Sequence, residues 1–224
     1  MRRNLTLLMV TLSLALGVGL AGLRAESVND EAEAPSVTSL AGYRVAVLVG
    51  EGFHDAEAMM PIAMLANRGA EVVVLAPELE PVKAYNSELR LHVHEAVGDA
   101  RPESFDALVL PGGTAPRTLC ENAEAVAFVK AFAGLDRPVA AICHGPLLLA
   151  AADVLDGRNI TGVGGIADEL RQAGATYHDR EMVRDEQLIT SRLPRDIPAW
   201  LIALEEAIEE ALEEVALAVP CCGG

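Results

Sequence analysis

The chain has 224 residues, of which 51% are hydrophobic, 22% are charged and 4% are aromatic, so it is long enough for one sizeable hydrophobic core. This apolar fraction excludes a disordered chain, and the lack of a Gly-x-y period excludes a collagen-like one. The formal net charge is −16, and such an acidic surface repels phosphate backbones, so nucleic acid is not expected as a partner.

The first 25 residues are typical of a secretory signal peptide. A basic start at Arg2 and Arg3 precedes an uncharged apolar run over residues 5–22, and Ala25 supplies a small residue at the cleavage position. An uncleaved membrane anchor is the alternative, because an apolar run of this length just suffices to span a bilayer. The rest of the protein is therefore expected to be exported, periplasmic or extracellular, and to contact a membrane only if this segment is retained.

The remaining chain is predicted to contain a linker, one domain and a short tail. Residues 26–42 are rich in Glu, Ala, Ser and Asp without an apolar period, which predicts a flexible acidic linker. A single folded domain is predicted over residues 43–218. The tail, residues 219–224, contains the adjacent thiols of Cys221 and Cys222, to which the sequence assigns no role.

Strand and helix patterns alternate along this domain. Short strands that are apolar on both faces are predicted at residues 43–49, 71–76, 105–110 and 138–142, and an alternating segment at 89–93 is predicted as an edge strand of the sheet. Helices are predicted at 55–67, 121–132, 146–155 and 198–217, and a β-hairpin within 181–190. Repeated β-α-β units predict an α/β fold, a three-layer α/β/α sandwich with a mostly parallel central sheet.

Ligands of such sheets bind beyond the carboxyl ends of the strands, so chemistry is expected in the turns after Val49, Leu110 and Ile142. The strongest signal is Cys143, which directly follows a buried strand and precedes Gly145 and a helix that begins with proline. This is the layout of a nucleophile elbow, and a helix N-terminus behind the cysteine favours the thiolate. The alternative is a small, buried, apolar cysteine.

The two neighbouring turns contain further candidate site residues. Gly112 and Gly113 follow the end of one strand, where exposed backbone N–H groups, together with that of His144, are available to bind an oxyanion; the alternative is an ordinary turn. Glu57 falls in the first turn of the first helix, from which its carboxyl is predicted to reach Cys143 and share a proton with it. The alternative for Glu57 is a helix-start acid that interacts only with the helix dipole.

These blocks resemble the ThiJ/PfpI superfamily, most closely its PfpI-type branch, over residues 43–205. The resemblance is carried by residues 45–49, Gly-Phe-His-Asp-Ala-Glu at 52–57, Asp-Ala-Leu-Val-Leu-Pro-Gly-Gly at 106–113, Val-Ala-Ala-Ile-Cys-His-Gly-Pro at 139–146 and Asp-Ile-Pro-Ala-Trp at 196–200. It implies a flavodoxin-like sandwich that assembles as a homodimer or a higher homo-oligomer. It also implies Cys143 as nucleophile, Glu57 as the acid that hydrogen-bonds it, and the N–H groups of Gly113 and His144 as the oxyanion hole.

Members of the family are described as peptidases, as glutathione-independent glyoxalases, as deglycases and as chaperones. The sequence departs from the PfpI-type pattern at His54 and Arg117, where glutamate is usual. In the proposed peptidase mechanism, the second of these glutamates comes from a neighbouring subunit and orients the catalytic histidine. Arg117 cannot accept a proton from imidazole, which speaks against such a Cys-His-Glu triad. His54 is either a replacement base or, as we favour, a residue that lines the pocket with Gly112 and Arg117.

The other cysteine and histidine residues carry weaker signals. Cys120 lies in an apolar stretch and is predicted to belong to the core. His92 and His94 lack a third ligand, so no metal is predicted, and no cofactor is implied. The sequence therefore predicts a Cys143-dependent enzyme that acts on a small reactive carbonyl or its adducts, with His144 or Glu57 moving protons. A cysteine peptidase is the first alternative, and a non-catalytic redox sensor or stress chaperone is the second.

Overall fold

The computed structural model describes residues 39–218, with side chains to residue 214. The predicted signal segment, most of the predicted linker and the tail with Cys221 and Cys222 lie outside the described residues. Within residues 39–218, no helix is both long and apolar enough to cross a membrane. Packing begins slightly before residue 43, because Leu40 is buried in the core and its N–H donates to Arg68 O at 2.7 Å.

Eleven strands and six α-helices make up the described part of the chain. The strands are β1 (Arg44–Leu48), β2 (Glu71–Ala76), β3 (Val82–Lys83), β4 (Arg90–Leu91), β5 (Glu95–Ala96), β6 (Ala107–Leu110), β7 (Val139–Ile142), β8 (Asn159–Ile160), β9 (Thr176–Tyr177), β10 (Met182–Asp185) and β11 (Leu188–Ser191). The helices are α1 (Asp55–Asn67), α2 (Ala115–Leu119), α3 (Ala123–Ala133), α4 (Pro146–Ala151), α5 (Ala167–Gln172) and α6 (Ile197–Ala218).

Seven of these strands form the central sheet, in the order β10-β11-β7-β6-β1-β2-β5. Every neighbouring pair is parallel except β10 and β11, which form the predicted hairpin. β6 and β7 are buried along their whole length, as expected for central strands that are covered on both faces. The predicted fold class, a flavodoxin-like α/β sandwich with a mostly parallel sheet, is confirmed.

The prediction of an edge strand of this sheet at residues 89–93 is wrong. β4 pairs instead with β3 in a separate antiparallel hairpin, and the sheet ends at β5. Just before β5, His94 occupies the edge of β2, where its backbone N–H donates to Val74 O and its ring Nδ1 accepts the N–H of Val74. An alternating pattern shows that a segment has one buried face, but it does not show which strand is the partner.

Two predicted helices have different bounds. The helix predicted from residue 121 begins at Ala123, because the side chain of Asn122 accepts the N–H of Ala125 and caps it. The preceding residues form the separate short helix α2, which the sequence analysis did not predict. The helix predicted to end at residue 155 ends at Ala151, and Asp153 just beyond it has a positive φ of 59°.

Trp200 anchors the closing helix α6 on the sheet and provides a test of the packing. Its side chain is fully buried, and its indole N–H donates to Ile189 O in β11 at 3.3 Å. We expect Trp200→Ala to lower the free energy of unfolding by about 3–5 kcal/mol, since a large cavity forms and a buried carbonyl loses its donor. Urea denaturation measures this change. The matched variant Ile202→Ala, on an exposed side of the same helix, should stay within about 0.5 kcal/mol of wild type.

Candidate active site

Three adjacent parallel strands, β6, β7 and β1, end at the same edge of the sheet and place the candidate residues there. The closest approach is at Gly112, where an added Cβ would lie 2.7 Å from the Cβ of Cys143 and 2.7 Å from Oε2 of Glu57. Real Cβ atoms do not approach this closely, so glycine is required for the three turns to meet. The structure thus brings together Cys143, Glu57, His144 and the two glycines that the sequence singled out; their catalytic roles stay predictions.

Cys143 has the strained backbone of a nucleophile elbow. Its φ is 60°, in the left-handed region that residues other than glycine rarely occupy, at a cost of about 1–3 kcal/mol. Backbone hydrogen bonds hold it there, because its N–H donates to Ser191 O and its carbonyl accepts from Val163 N–H, each at 3.0 Å. Gly145 completes the turn, since any Cβ there would collide with the carbonyl oxygen of Leu110.

The Cys143 sulfur is surrounded by the donors expected of an oxyanion hole. The backbone N–H groups of Gly113 and His144 hydrogen-bond it and lower the pKa of the thiol. Burial and then the charge of Glu57 act in the opposite direction and raise this pKa to about 12. The ring Nδ1 of His144 lies 3.4 Å from the sulfur, close enough to exchange a proton with it.

Glu57 is a fully buried carboxyl beside this thiol. Its Oε2 accepts the N–H of Gly112 at 2.8 Å, whereas Oε1 makes no hydrogen bond of ordinary geometry. Burial raises the pKa of Glu57 from 4.5 to about 7, and the Gly112 N–H and the neighbouring Cys143 thiol only partly offset this effect. Because the carboxyl of Glu57 lies inside the site, this position favours a role beside the thiol over an acid that interacts only with the helix dipole.

Cys143 and Glu57 titrate as a pair. The charge of Glu57 raises the pKa of the thiol, so the carboxyl loses its proton near pH 7 and the thiol keeps its own to about pH 12. Between these two values the thiol is protonated and the Glu57 carboxylate is free to accept a proton. Such a pair can accept and return a proton at neutral pH without a cofactor or metal.

His54 stands at the start of α1, next to the turn that contains Gly112. It is the N-cap residue of α1, its N–H donates to Gly112 O, and its ring packs edge-on against Tyr85 at 5.6 Å between centroids. Its Nδ1 lies 3.5 Å from the Asp55 carboxylate and has no hydrogen-bond partner. Burial lowers the pKa of His54, and the Asp55 carboxylate partly offsets this effect. Its role, as a replacement base or as a pocket-lining residue, stays a prediction. Tyr85 itself was not predicted from the sequence.

Arg117 forms a two-pronged ion pair with Glu169, a residue that the sequence analysis missed. Nη2 of Arg117 lies 2.7 Å from one carboxylate oxygen, and Nη1 binds the other. Burial is the main cause that lowers the pKa of the His144 imidazole; Arg117 lowers it further and Glu169 raises it. Glu169 stands in the first turn of α5, where an acid usually serves only the helix dipole, so no sequence signal distinguished it.

Three other candidates from the sequence lie outside this group of site residues: Cys120, His92 and His94. Cys120 is half-buried at the end of α2 and packs against the core as predicted, and burial raises the pKa of its thiol to about 11. The rings of His92 and His94 lie 5.3 Å apart. Across residues 39–218, no group of three or more His, Cys, Asp or Glu side chains is arranged to bind a metal ion.

The raised pKa of Glu57 makes folding stability depend on pH. Between pH 4.5 and 7 the folded state holds the Glu57 proton more tightly than the unfolded state, so wild type loses this stabilisation as pH rises through 7. Glu57→Gln has no such proton. We expect the free energy of unfolding of the variant, relative to wild type, to rise by about 3 kcal/mol between pH 4 and pH 8 in urea denaturation. Glu80→Gln, an exposed control, should show no such trend.

The Arg117–Glu169 ion pair provides a second test of the site. Arg117→Gln removes a positive charge and leaves Glu169 unpaired, so the pKa of His144 should rise, whereas Glu169→Gln should lower it. An NMR titration of the His144 ring measures both. Arg171→Gln, which breaks the Arg171–Asp168 pair on the same helix, serves as the control. Shifts of equal sign in the two variants would contradict the assignment.

Comparison with known proteins identifies the family to which this fold belongs. A family model described as "DJ-1/PfpI family" matches residues 43–207. The chain is 38% identical over 159 residues to "Protein/nucleic acid deglycase 2" of Escherichia coli (strain K12), covering 70% of this chain and 92% of that protein. It is 36% identical over 157 residues to "Putative cysteine protease YraA" of Bacillus subtilis (strain 168), covering 70% of this chain and 93% of that protein.

Among solved structures, a two-domain protein from Anabaena variabilis with a DJ-1/ThiJ/PfpI-like and a ferritin-like domain matches with a TM-score of 0.72 and 36% identity. The match covers 73% of this chain and 47% of that protein, so the chain spans less than half of the larger molecule. The residues that the family model matches, 43–207, include both the cysteine elbow and the helix that bears the buried carboxyl. The chain is a member of the DJ-1/PfpI family.

Proposed function

We propose that the protein is a Cys143-dependent enzyme that acts on small reactive carbonyls or on their adducts with amines and thiols. The observation that carries the proposal is the pairing of Cys143 with Glu57. A nucleophile stands in an elbow with two N–H donors on its sulfur, beside a carboxyl that titrates near pH 7. The Escherichia coli relative that is named a deglycase supports this substrate class.

With methylglyoxal, the chemistry uses each of these groups. The Cys143 sulfur bonds to the aldehyde carbon, and the thiol proton passes to the aldehyde oxygen, giving a hemithioacetal next to the N–H groups of Gly113 and His144. Glu57 removes the hydrogen of that carbon as a proton and returns it to the adjacent carbon, while the hydroxyl proton moves to the former ketone oxygen. The product is a lactate thioester. Water hydrolyses the thioester, which releases lactate and restores the thiol.

A cysteine peptidase is the second candidate, and the name of the Bacillus subtilis relative favours it. In that reaction His144 is the base, since its Nδ1 lies 3.4 Å from the sulfur. The orientation of His144 then depends on a hydrogen-bond acceptor for its other nitrogen. Arg117 is not an acceptor, and its guanidinium already binds both carboxylate oxygens of Glu169. The geometry therefore gives peptide hydrolysis less support than carbonyl chemistry.

A non-catalytic redox sensor or chaperone is the third candidate, in which Cys143 is reversibly oxidised. The raised pKa of the thiol disfavours the thiolate for oxidation and for nucleophilic attack alike, so it does not distinguish the sensor from the enzyme. We also propose that residues 1–25 act as a signal peptide that directs export, and that the protein assembles as a homodimer or a higher homo-oligomer. Signal processing is tested by N-terminal sequencing of the secreted protein, and assembly by analytical ultracentrifugation.

Turnover of methylglyoxal tests the main proposal. We expect wild type to form lactate, Cys143→Ala to form none, and Glu57→Gln to be slowed about 10²- to 10⁴-fold, because proton transfer loses its carrier. Mass spectrometry of the products provides the measurement, and a glycated peptide and a quenched peptide library are assayed in parallel. Cys120→Ser, which removes a half-buried thiol outside the site, is the control and should retain full activity.

The other outcomes separate the candidates. Peptide cleavage that requires Cys143, without turnover of any carbonyl or adduct, would establish the peptidase. No turnover of either substrate class, combined with rapid and reversible oxidation of Cys143 by peroxide, would establish the sensor and end the enzyme proposal for these substrates.

A further inference from the structure

The hairpin formed by β3 and β4 is docked onto the loop that leads into α1. The N–H of Gly52 donates to Lys83 O at 2.8 Å, and the N–H of Lys83 donates to the Glu51 carboxylate at 2.9 Å. One step further along, Phe53 and Ala84 form a parallel β-bridge. These backbone contacts attach the hairpin to the loop that carries His54 and leads to Glu57.

The tip of this hairpin is held equally firmly. The N–H of Tyr85 donates to Phe53 O at 3.1 Å. The Asn86 side chain accepts the N–H of Asp55 at 3.2 Å and donates to the Asp55 carboxylate at 2.7 Å. Tyr85 is therefore fixed at its backbone and followed by a residue that is clamped to the start of α1. The backbone position of Tyr85 is thus fixed before anything binds, which lowers the entropic cost of a contact with its ring.

The Tyr85 ring packs against a residue near the reactive pair and remains open to solvent. It packs edge-on against His54, whose N–H donates to Gly112 O, and Gly112 is in contact distance of Cys143. Burial, followed by the charges of Cys143 and Glu57, raises the pKa of the Tyr85 phenol. Yet 55% of the residue surface is exposed. The ring therefore keeps an open face with which a bound molecule can make contact.

We propose that Tyr85, backed by His54, is a specificity-determining residue that favours electrophiles carrying an aromatic or bulky apolar group next to the carbon that Cys143 attacks. Aromatic rings prefer edge-to-face or offset contacts, and the Tyr85 ring offers its open side to a second ring. Aryl-substituted α-oxoaldehydes are therefore expected to react faster than methylglyoxal. This substrate class rests on the proposed function, whereas the selection by Tyr85 concerns any electrophile that bonds to Cys143.

The test compares N-phenylmaleimide with N-ethylmaleimide as reagents for Cys143. Mass spectrometry of the Cys143 peptide distinguishes this residue from Cys120 and the tail cysteines, and a free thiol in solution sets the intrinsic ratio of the two rates. For wild type we expect the phenyl reagent to be favoured about three- to tenfold beyond that ratio, the range that one aromatic contact supports. Tyr85→Ala should remove this preference, and Tyr85→Phe, which keeps the ring, should retain it.

Leu79→Ala, which truncates another exposed apolar side chain, is the matched control and should behave as wild type. Circular dichroism and urea denaturation establish that each variant is folded. An unchanged preference in Tyr85→Ala would overturn the proposal, and so would an equal loss in Tyr85→Phe and Tyr85→Ala. The labelling needs no turnover, so a preference that depends on Tyr85, found in a protein that converts neither phenylglyoxal nor methylglyoxal, would support the role of Tyr85 and refute only the proposed function.

Discussion

The site depends on one steric constraint, the absence of a side chain at Gly112. Only the missing Cβ lets the end of β6 lie against both Cys143 and the carboxyl of Glu57, and the Gly112 N–H then serves as the hydrogen bond that holds that carboxyl. The strained backbone of Cys143 needs the same close packing, because the surrounding strands must supply the 1–3 kcal/mol or so that a positive φ costs. Reactivity therefore arises from packing of the backbone as much as from side-chain chemistry.

Much of the fold was predictable because buried parallel strands carry an unambiguous signal. Runs such as Ala107–Leu110 and Val139–Ile142 are apolar on both faces, and only the middle of a covered sheet accommodates them. The short elements were not predictable. Val82–Lys83 and Arg90–Leu91 are too brief for periodicity to identify a partner, and the side chain of His94 takes over the edge of β2 that the pattern had assigned to a strand.

The candidate site likewise contains residues that the sequence made predictable and residues that it did not. Cys143, Glu57 and Gly113 were predictable because each directly follows or faces a strand end, where local sequence determines position. Glu169 and Tyr85 were not, because their roles come from contacts with residues about 30 to 50 positions away in the chain: Glu169 with Arg117, and Tyr85 with His54. A carboxylate in a first helical turn and an aromatic residue in a hairpin tip look ordinary until the tertiary structure supplies their neighbours.

The docked hairpin has an evolutionary consequence. Because β3 and β4 pair with each other and not with the central sheet, the segment that carries Tyr85 is separate from the strands that strain Cys143. Mutations at the hairpin tip can therefore accumulate without disturbing the pairing of those strands. Within one family, such an arrangement lets this surface vary while the strands that position the cysteine are inherited unchanged.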